Sequence, residues 1–163
     1  MQLPRICQIG CGVPNTHGAT ALSSELAMFL DALDRTLPQL VKSELEGAWG
    51  WPGGMCSVAS WIAGDLLREH GHGEWVLVNA KNRLNGGHDW LERGDLFYDP
   101  TAHQFEGVDR PLRGSTPNPI AAEYRHHRIE LRATAAGRPA IIAMRDYLKP
   151  ILQSELAGLR AAD

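Results

Sequence analysis

Apolar residues recur at spacings of three and four in the first third of the chain, which predicts an amphipathic helix beginning near Thr20. Ser23 or Ser24 is suited to cap its start, and Pro38 is expected to end or kink it. The apolar face is formed by Leu22, Leu26, Phe29, Leu30, Leu33 and Leu37.

Two further helices are predicted, one in the middle of the chain and one that ends near residue 160. The first runs from about Cys56 to His70, and Gly71 suits the left-handed position after its end. The second runs from Pro139 to Arg160 with a kink at Pro150. Its apolar stripe is more typical of a core helix than of a partner-binding surface.

Strand patterns occupy the region between these two helices. Residues 74–80 are β-branched and aromatic, which predicts a buried strand. Residues 88–99 predict a hairpin with its turn near Gly94, and residues 128–133 alternate as a strand with one solvated face does. Helices first, then strands, then a helix favour an α+β domain over alternating βαβ units.

Three segments are too rich in glycine or proline to form regular structure: residues 1–19, 47–55 and 106–119. The last is expected to be a long Pro-rich loop. The whole chain, residues 1–163, is interpreted as one catalytic domain, since its length suits one domain of ordinary size.

The amino-acid composition excludes several classes of protein function. Hydrophobic residues make up 44% of the chain, enough for a core, and the formal net charge of −3 gives no case for binding nucleic acid or an anionic membrane. No apolar run suits a membrane helix, and the first residues lack a signal-peptide pattern. Three cysteines cannot all pair with one another, so a reducing, cytoplasmic location is expected, or delivery from the cytoplasm as an effector.

Cys56 is the first candidate catalytic residue, because it follows Gly53 and Gly54 and opens the second predicted helix. Unpaired N–H groups and the positive end of the helix dipole favour thiolate over thiol there. The two glycines leave space for a substrate backbone. The Cys56 N–H, unpaired within the helix, is a candidate oxyanion donor.

His88 and Asp99 are predicted to be neighbours in the hairpin. If Arg93-Gly94 forms the two-residue turn, His88 faces Asp99 directly. If Gly94-Asp95 forms it, His88 faces Thr101 and Asp99 is its diagonal neighbour on the same face. A three-residue loop would separate the pair. A carboxylate on the far ring nitrogen holds a base in the correct tautomer, so Cys56, His88 and Asp99 form a candidate nucleophile, acid-base and orienting set.

Two segments, GGMCSVASWIAGDLLREHG and GGHDWLERGDLFYDPTAHQF, resemble the catalytic core of transglutaminase-like, papain-fold cysteine enzymes. In that superfamily a nucleophilic Cys starts a helix that ends in Gly, then come a His-x-Trp strand and a strand closing in Asp-Pro-Thr. The matching residues are Cys56, His88 with Trp90, and Asp99-Pro100-Thr101, and the resemblance covers residues 50–105.

The resemblance implies acyl transfer from an amide through a thioester, with peptide cleavage, glutamine deamidation or transamidation as outcomes. It implies a protein or peptide substrate and no cofactor or metal. No Gln stands a few residues before Cys56, where papain-like proteases place an oxyanion side chain; Trp51 is the candidate donor instead. Gly54 and Trp90 are candidate substrate-contacting residues.

Alternative interpretations remain open. The same fold can be a binding module with a vestigial triad, and a small-amine acyltransferase uses the same residues in a longer chain. Cys7, Cys11 and His17 have metal-like spacing without a fourth ligand, so no metal site is predicted. His103 is an alternative base that lacks a carboxylate at fixed register. The oligomeric state is not predicted.

Overall fold

A computed structural model describes residues 21–45, 51–125, 127–131 and 139–161. Three helices, α1 (Ser24–Glu44), α2 (Cys56–Glu69) and α3 (Pro139–Ala161), accompany five strands. The strands are β1 (Val76–Lys81), β2 (Gly87–Arg93), β3 (Leu96–Asp99), β4 (Leu112–Ser115) and β5 (His127–Leu131). The expected α+β class is therefore confirmed. Residues 1–19, with Cys7, Cys11 and His17, lie outside the described residues.

The strands form one antiparallel sheet in the order β4-β3-β2-β1-β5. The predicted strands at residues 74–80 and 128–133 correspond to β1 and to β5, as far as the latter is described. The hairpin predicted at residues 88–99 consists of β2 and β3. Strand β2 is thus central, with β1 and β3 on its two sides.

The segment 106–119 is not the continuous loop that its prolines predict, because it contains the edge strand β4. The four residues of β4, which lies between Pro111 and Pro117, are too few to show a period of two, and Gly114 interrupts the pattern. The strand forms because β3 offers an unpaired edge, on which Leu96 pairs with Ser115 and Asp99 with Leu112. The backbone of Asp99 is thereby paired with β4.

Helix α1 begins as predicted but does not end at Pro38. The Ser23 Oγ accepts a hydrogen bond from the Leu26 N–H at 3.2 Å and caps the helix. Pro38 lies inside the helix, which continues to Glu44. Leu40 and Val41 beyond the proline are buried, so packing outweighs the cost of the missing backbone hydrogen bond.

The sheet has two faces, and both are covered. On one face the three helices pack over residues that include Leu77, Leu91 and Tyr98. On the other face a smaller apolar cluster joins strand residues to the segment that follows β3, and its buried members are Val78, Ala80, Trp90, Phe97, Ala102, Ile120 and Tyr124. His88 and Asp99 belong to this second face by the alternation of the strands.

A polar contact fixes α1 to β3. The Tyr98 hydroxyl, on a fully buried side chain, donates to Asp34 Oδ1 at 2.6 Å, and Arg113 of β4 pairs with Asp34 and Asp31. Desolvation raises the pKa of Asp34, against the opposing effects of Tyr98 and Arg113. Among the described residues, no helix is both long and apolar enough to cross a membrane.

Candidate active site

Cys56 is the first residue of α2, as the sequence predicts. The residue before it, Met55, is the N-cap of the helix; it is completely buried and offers no side-chain cap. Gly54 is exposed and has φ +73°, a conformation that favours glycine. Since no N-cap oxygen occupies the first turn, the Cys56 N–H stays available to a substrate oxygen beside the half-buried thiol.

His88 and Asp99 form a buried hydrogen-bonded pair. The distance from His88 Nε2 to Asp99 Oδ2 is 2.7 Å, and the two side chains are 1% and 0% exposed. A contact this short between a ring nitrogen and a carboxylate is charge-assisted when the imidazole is protonated. Asp99 therefore fixes both the orientation of the ring and the nitrogen that carries a hydrogen on this side.

Cys56 lies beside the same ring, since its side chain contributes to raising the pKa of His88. Nδ1 is the ring nitrogen that remains for the sulfur, because Nε2 is bonded to Asp99. Burial lowers the pKa of His88, but the hydrogen bonds to Asp99 and Cys56 and their negative charges outweigh it and raise the pKa to about 9. At neutral pH the imidazole is therefore protonated beside the Asp99 carboxylate.

The turn of the hairpin decides how His88 meets Asp99. Leu91 pairs with Tyr98 and Arg93 with Leu96, so the turn residues are Gly94 and Asp95, the second of the two predicted registers. Gly94 has φ +56°, which explains the glycine. Asp99 is thus the diagonal neighbour of His88, within reach of a long side chain on the same face.

Two residues of the segment after β3 hold the Asp99 carboxylate. The Thr101 N–H donates to Asp99 Oδ1 at 3.2 Å, closing the local turn that Asp-Pro-Thr encodes. Asn118 Nδ2 donates to Asp99 Oδ2 at 2.9 Å, while its Oδ1 accepts from the Ile120 N–H. Asn118 is 1% exposed, and the sequence analysis missed it because only long-range folding brings it to Asp99.

Aromatic side chains enclose the imidazole. The Trp90 ring is inclined by 30° to the His88 ring with centroids 5.8 Å apart, Phe105 meets the imidazole edge-on at 4.7 Å, and Tyr124 is tilted at 5.6 Å. Trp90 is fully buried and its Nε1 donates to Glu92, so it packs beneath the imidazole and does not line an open surface. These rings exclude water from the His88–Asp99 pair.

Trp51 lies beside His103, with ring centroids 5.8 Å apart. The Trp51 Nε1 and the His103 Nδ1 are both buried and have no hydrogen-bond partner among the described residues. Trp51 therefore carries an uncommitted donor, as an oxyanion ligand requires. Desolvation lowers the pKa of His103, against the charge of Asp99. Among the described residues, no carboxylate is hydrogen-bonded to His103, so His88 is the better placed base.

Gln104 is a second residue that the sequence analysis did not assign to the site. Its Nε2 lies 3.2 Å from His88 Nδ1 and donates to the Thr101 carbonyl at 3.1 Å. The amide thus approaches the ring nitrogen that Asp99 does not bind. The short 3₁₀ turn Ala102–Gln104 places the Gln104 amide beside His88, and the sequence Thr-Ala-His-Gln alone does not predict this contact.

No group of three or more His, Cys, Asp or Glu side chains suited to a metal ion occurs in the part of the chain that the structure describes. The chain matches no family model, no curated protein and no solved structure. Geometry and chemistry of the site are therefore the basis for a function.

Replacing Asn118 by alanine is expected to slow alkylation of Cys56 by iodoacetamide at pH 7 by about tenfold, because a hydrogen bond to a charged group contributes about 1.5–3 kcal/mol. Without it the Asp99 carboxylate keeps the bonds to the Thr101 N–H and to His88 but is held less firmly against the imidazole. The rate is measured by mass spectrometry of the Cys56 peptide. Asn82→Ala is the matched control, since Asn82 Oδ1 accepts loop N–H groups without touching Asp99. Equal rates for both variants would contradict a role of Asn118 in the site.

Proposed function

We propose that this protein is a cysteine-dependent amide hydrolase or acyl transferase with a transglutaminase-like, papain-like core. Cys56 is the nucleophile, His88 the general acid and base, and Asp99 the orienting carboxylate. The observation that carries the proposal is one buried imidazole that is bonded through Nε2 to Asp99 and lies beside a thiol at a helix N-terminus. The order of a Cys helix followed by antiparallel strands bearing His and Asp supports the proposed core.

The first half-reaction forms a thioester. The Cys56 thiolate attacks the carbonyl carbon of a carboxamide, and the carbonyl oxygen becomes an oxyanion. The Cys56 N–H, and in our proposal the Trp51 Nε1, are the donors to that oxygen. As the C–N bond breaks, His88 transfers its Nδ1 proton to the departing amine or ammonia, and the acyl group remains on sulfur.

The second half-reaction releases the acyl group. The now neutral imidazole takes a proton from a water molecule, whose oxygen attacks the thioester carbonyl. The C–S bond breaks, the product leaves as a carboxylic acid, and the thiolate and imidazolium are restored. An amine in place of water gives transamidation by the same steps. Asp99 accepts the hydrogen bond of His88 Nε2 and stabilises the imidazolium in both half-reactions.

A protein or peptide substrate is favoured by the surroundings of Cys56. Gly53 and Gly54 are exposed next to the sulfur and carry no side chains that would block an approaching backbone. The position of the Cys56 side chain beside His88 favours a working enzyme over a binding module with a vestigial triad, because a vestigial site has no need of that arrangement. Deamidation and peptide cleavage use the same chemistry and differ in the nitrogen that leaves.

The proposal is tested with a Cys7→Ser, Cys11→Ser variant, in which Cys56 is the remaining thiol. Its alkylation by iodoacetamide is expected to stay fast below about pH 7, whereas an ordinary thiol reacts mainly near its pKa of about 8.5. Incubation with unfolded casein and with a Gln-Gly dipeptide is then followed by intact mass. A gain of about 1 Da shows deamidation and fragments show cleavage, according to the group that leaves the carbonyl. An alkylation profile identical to that of the denatured protein overturns the proposal.

A further inference from the structure

We infer that Asp89, held by Ser57 and Asn79, is a positioning residue that fixes the Cys56 sulfur against the His88 imidazole. The inference deepens the proposed function and rests on it. Asp89 touches none of the reacting atoms in that mechanism; its effect is on the placement of two residues that do.

Asp89 is a buried carboxylate that the chemistry does not use. It is 3% exposed and lies on β2, on the sheet face opposite to that of its neighbour His88. Its Oδ2 accepts a hydrogen bond from the Ser57 hydroxyl, and its Oδ1 accepts one from Asn79 Nδ2 on β1. Both carboxylate oxygens are therefore satisfied by donors from two different elements.

The position of these bonds in the chain makes them relevant to catalysis. Ser57 directly follows Cys56, and Asp89 directly follows His88. The bond between Ser57 and Asp89 thus joins the two residues that come next to the nucleophile and the base. Adjacent Cα atoms are about 3.8 Å apart, so a shift of either neighbour is passed almost unchanged to the catalytic residue.

The apolar contacts of α2 with the sheet do not define that distance as sharply. Helix residues such as Ile62 and Leu66 and the strand residue Leu91 belong to one apolar cluster, and apolar contacts are non-directional. A buried carboxylate costs free energy unless it is hydrogen-bonded, and an apolar replacement often stabilises a protein as well. The presence of a carboxylate at residue 89 is therefore explained by the fixed distance that its hydrogen bonds impose between α2 and β2.

Ser60 provides the matched comparison. It lies one turn further along α2, and its Oγ donates to the Asp89 main-chain oxygen at 3.1 Å. Ser60→Ala removes a buried helix-to-strand hydrogen bond of the same type but leaves the carboxylate bonds intact. Ser57→Ala removes a carboxylate bond and leaves the bond of Ser60.

The experiment measures alkylation of Cys56 by iodoacetamide from pH 5 to pH 9, well below the melting temperature of each variant. Ser57→Ala and Asp89→Ala are expected to slow alkylation below pH 7 by about 10-fold or more, since a displacement of about 1 Å can cost about 100-fold in rate. Asp89→Asn is expected to restore the wild-type profile, because its oxygen can face Asn79 and its NH₂ can donate to the Ser57 hydroxyl. Ser60→Ala is expected to lower the melting temperature without moving the profile.

The outcomes separate this inference from the proposed function. A wild-type protein that is activated below pH 7, with Ser57→Ala indistinguishable from Ser60→Ala, overturns the positioning role alone. If Asp89→Ala disturbs the profile and Asp89→Asn does not restore it, the positioning role is also overturned, and the charge of Asp89 is what matters. A wild-type thiol with no activation overturns the proposed function, and the positioning role with it.

Discussion

Replacing Cys56 by alanine is expected to abolish turnover while leaving the protein folded. In the proposed mechanism the sulfur forms the covalent intermediate, so no other group can take its part, and a loss of at least about 10⁴-fold is expected. Cys56 is half-buried and its side chain is small, so the free energy of unfolding should change by about 1 kcal/mol or less. The checks are the mass-shift assay and a thermal melt.

Cys7→Ser and Cys11→Ser are the controls for general effects of losing a thiol, and both are expected to retain activity. Retention of full activity by Cys56→Ala would remove the nucleophile from the proposal. A folded, inactive Cys56→Ala protein that still binds substrate would meanwhile be useful for trapping the uncleaved complex.

Replacing Asp99 by asparagine is expected to lower turnover by about 10²- to 10⁴-fold, the range seen when a general base loses its orienting carboxylate. The carboxylate accepts from three donors, His88 Nε2, Asn118 Nδ2 and the Thr101 N–H. An asparagine NH₂ cannot accept from any of them, so one donor is left unpaired in a fully buried place. The imidazole is then expected to lose its tautomer and orientation.

The pH profile provides a second readout for the same variant. The pKa of His88 is raised from 6.5 to about 9, so its bound proton stabilises the fold fully below about pH 6.5, and this contribution disappears as the pH rises through about 9. In the wild type, turnover should therefore decline above about pH 9, as His88 loses the proton that it gives to the leaving group. Because Asp99→Asn removes the hydrogen bond and the charge of Asp99, the decline should begin at lower pH.

Asp109→Asn makes the same change of charge at an exposed position and should leave both rate and profile unchanged. An Asp99→Asn protein with the wild-type alkaline limb would show that Asp99 does not control the protonation of His88. In that case the carboxylate would be assigned a structural role beneath the imidazole.

A structural feature could be predicted from the sequence when the residues that determine it are close together in the chain. Helix α2 was predictable because its apolar face, the first residue Cys56 and the terminating Gly71 all lie within one short segment, and Gly71 has φ +79°. The approach of His88 to Asp99 was predictable because a two-residue turn fixes the register in either of its two forms. Both inferences needed only neighbouring residues.

The missed features depend on contacts between distant parts of the chain. Asn118 reaches Asp99 across 19 residues, and Ser57 reaches Asp89 across 32. Strand β4 exists because the edge of β3 is open to it, and α1 passes through Pro38 because the residues beyond the proline are buried. Periodicity does not report such partners, since it describes a residue's own segment and not the surface that will cover it.

Strand β3 has a consequence for how substitutions in this protein should be read. Tyr98 and Asp99 are adjacent, yet the first is tied to Asp34 of α1 and the second to the imidazole on the opposite side of the sheet. Successive residues of β3 thus alternate between a role in packing the fold and a role in the active site. A substitution at residue 98 is expected to reduce the amount of folded protein. A substitution at residue 99 is expected to give a normal amount of folded protein that is inactive.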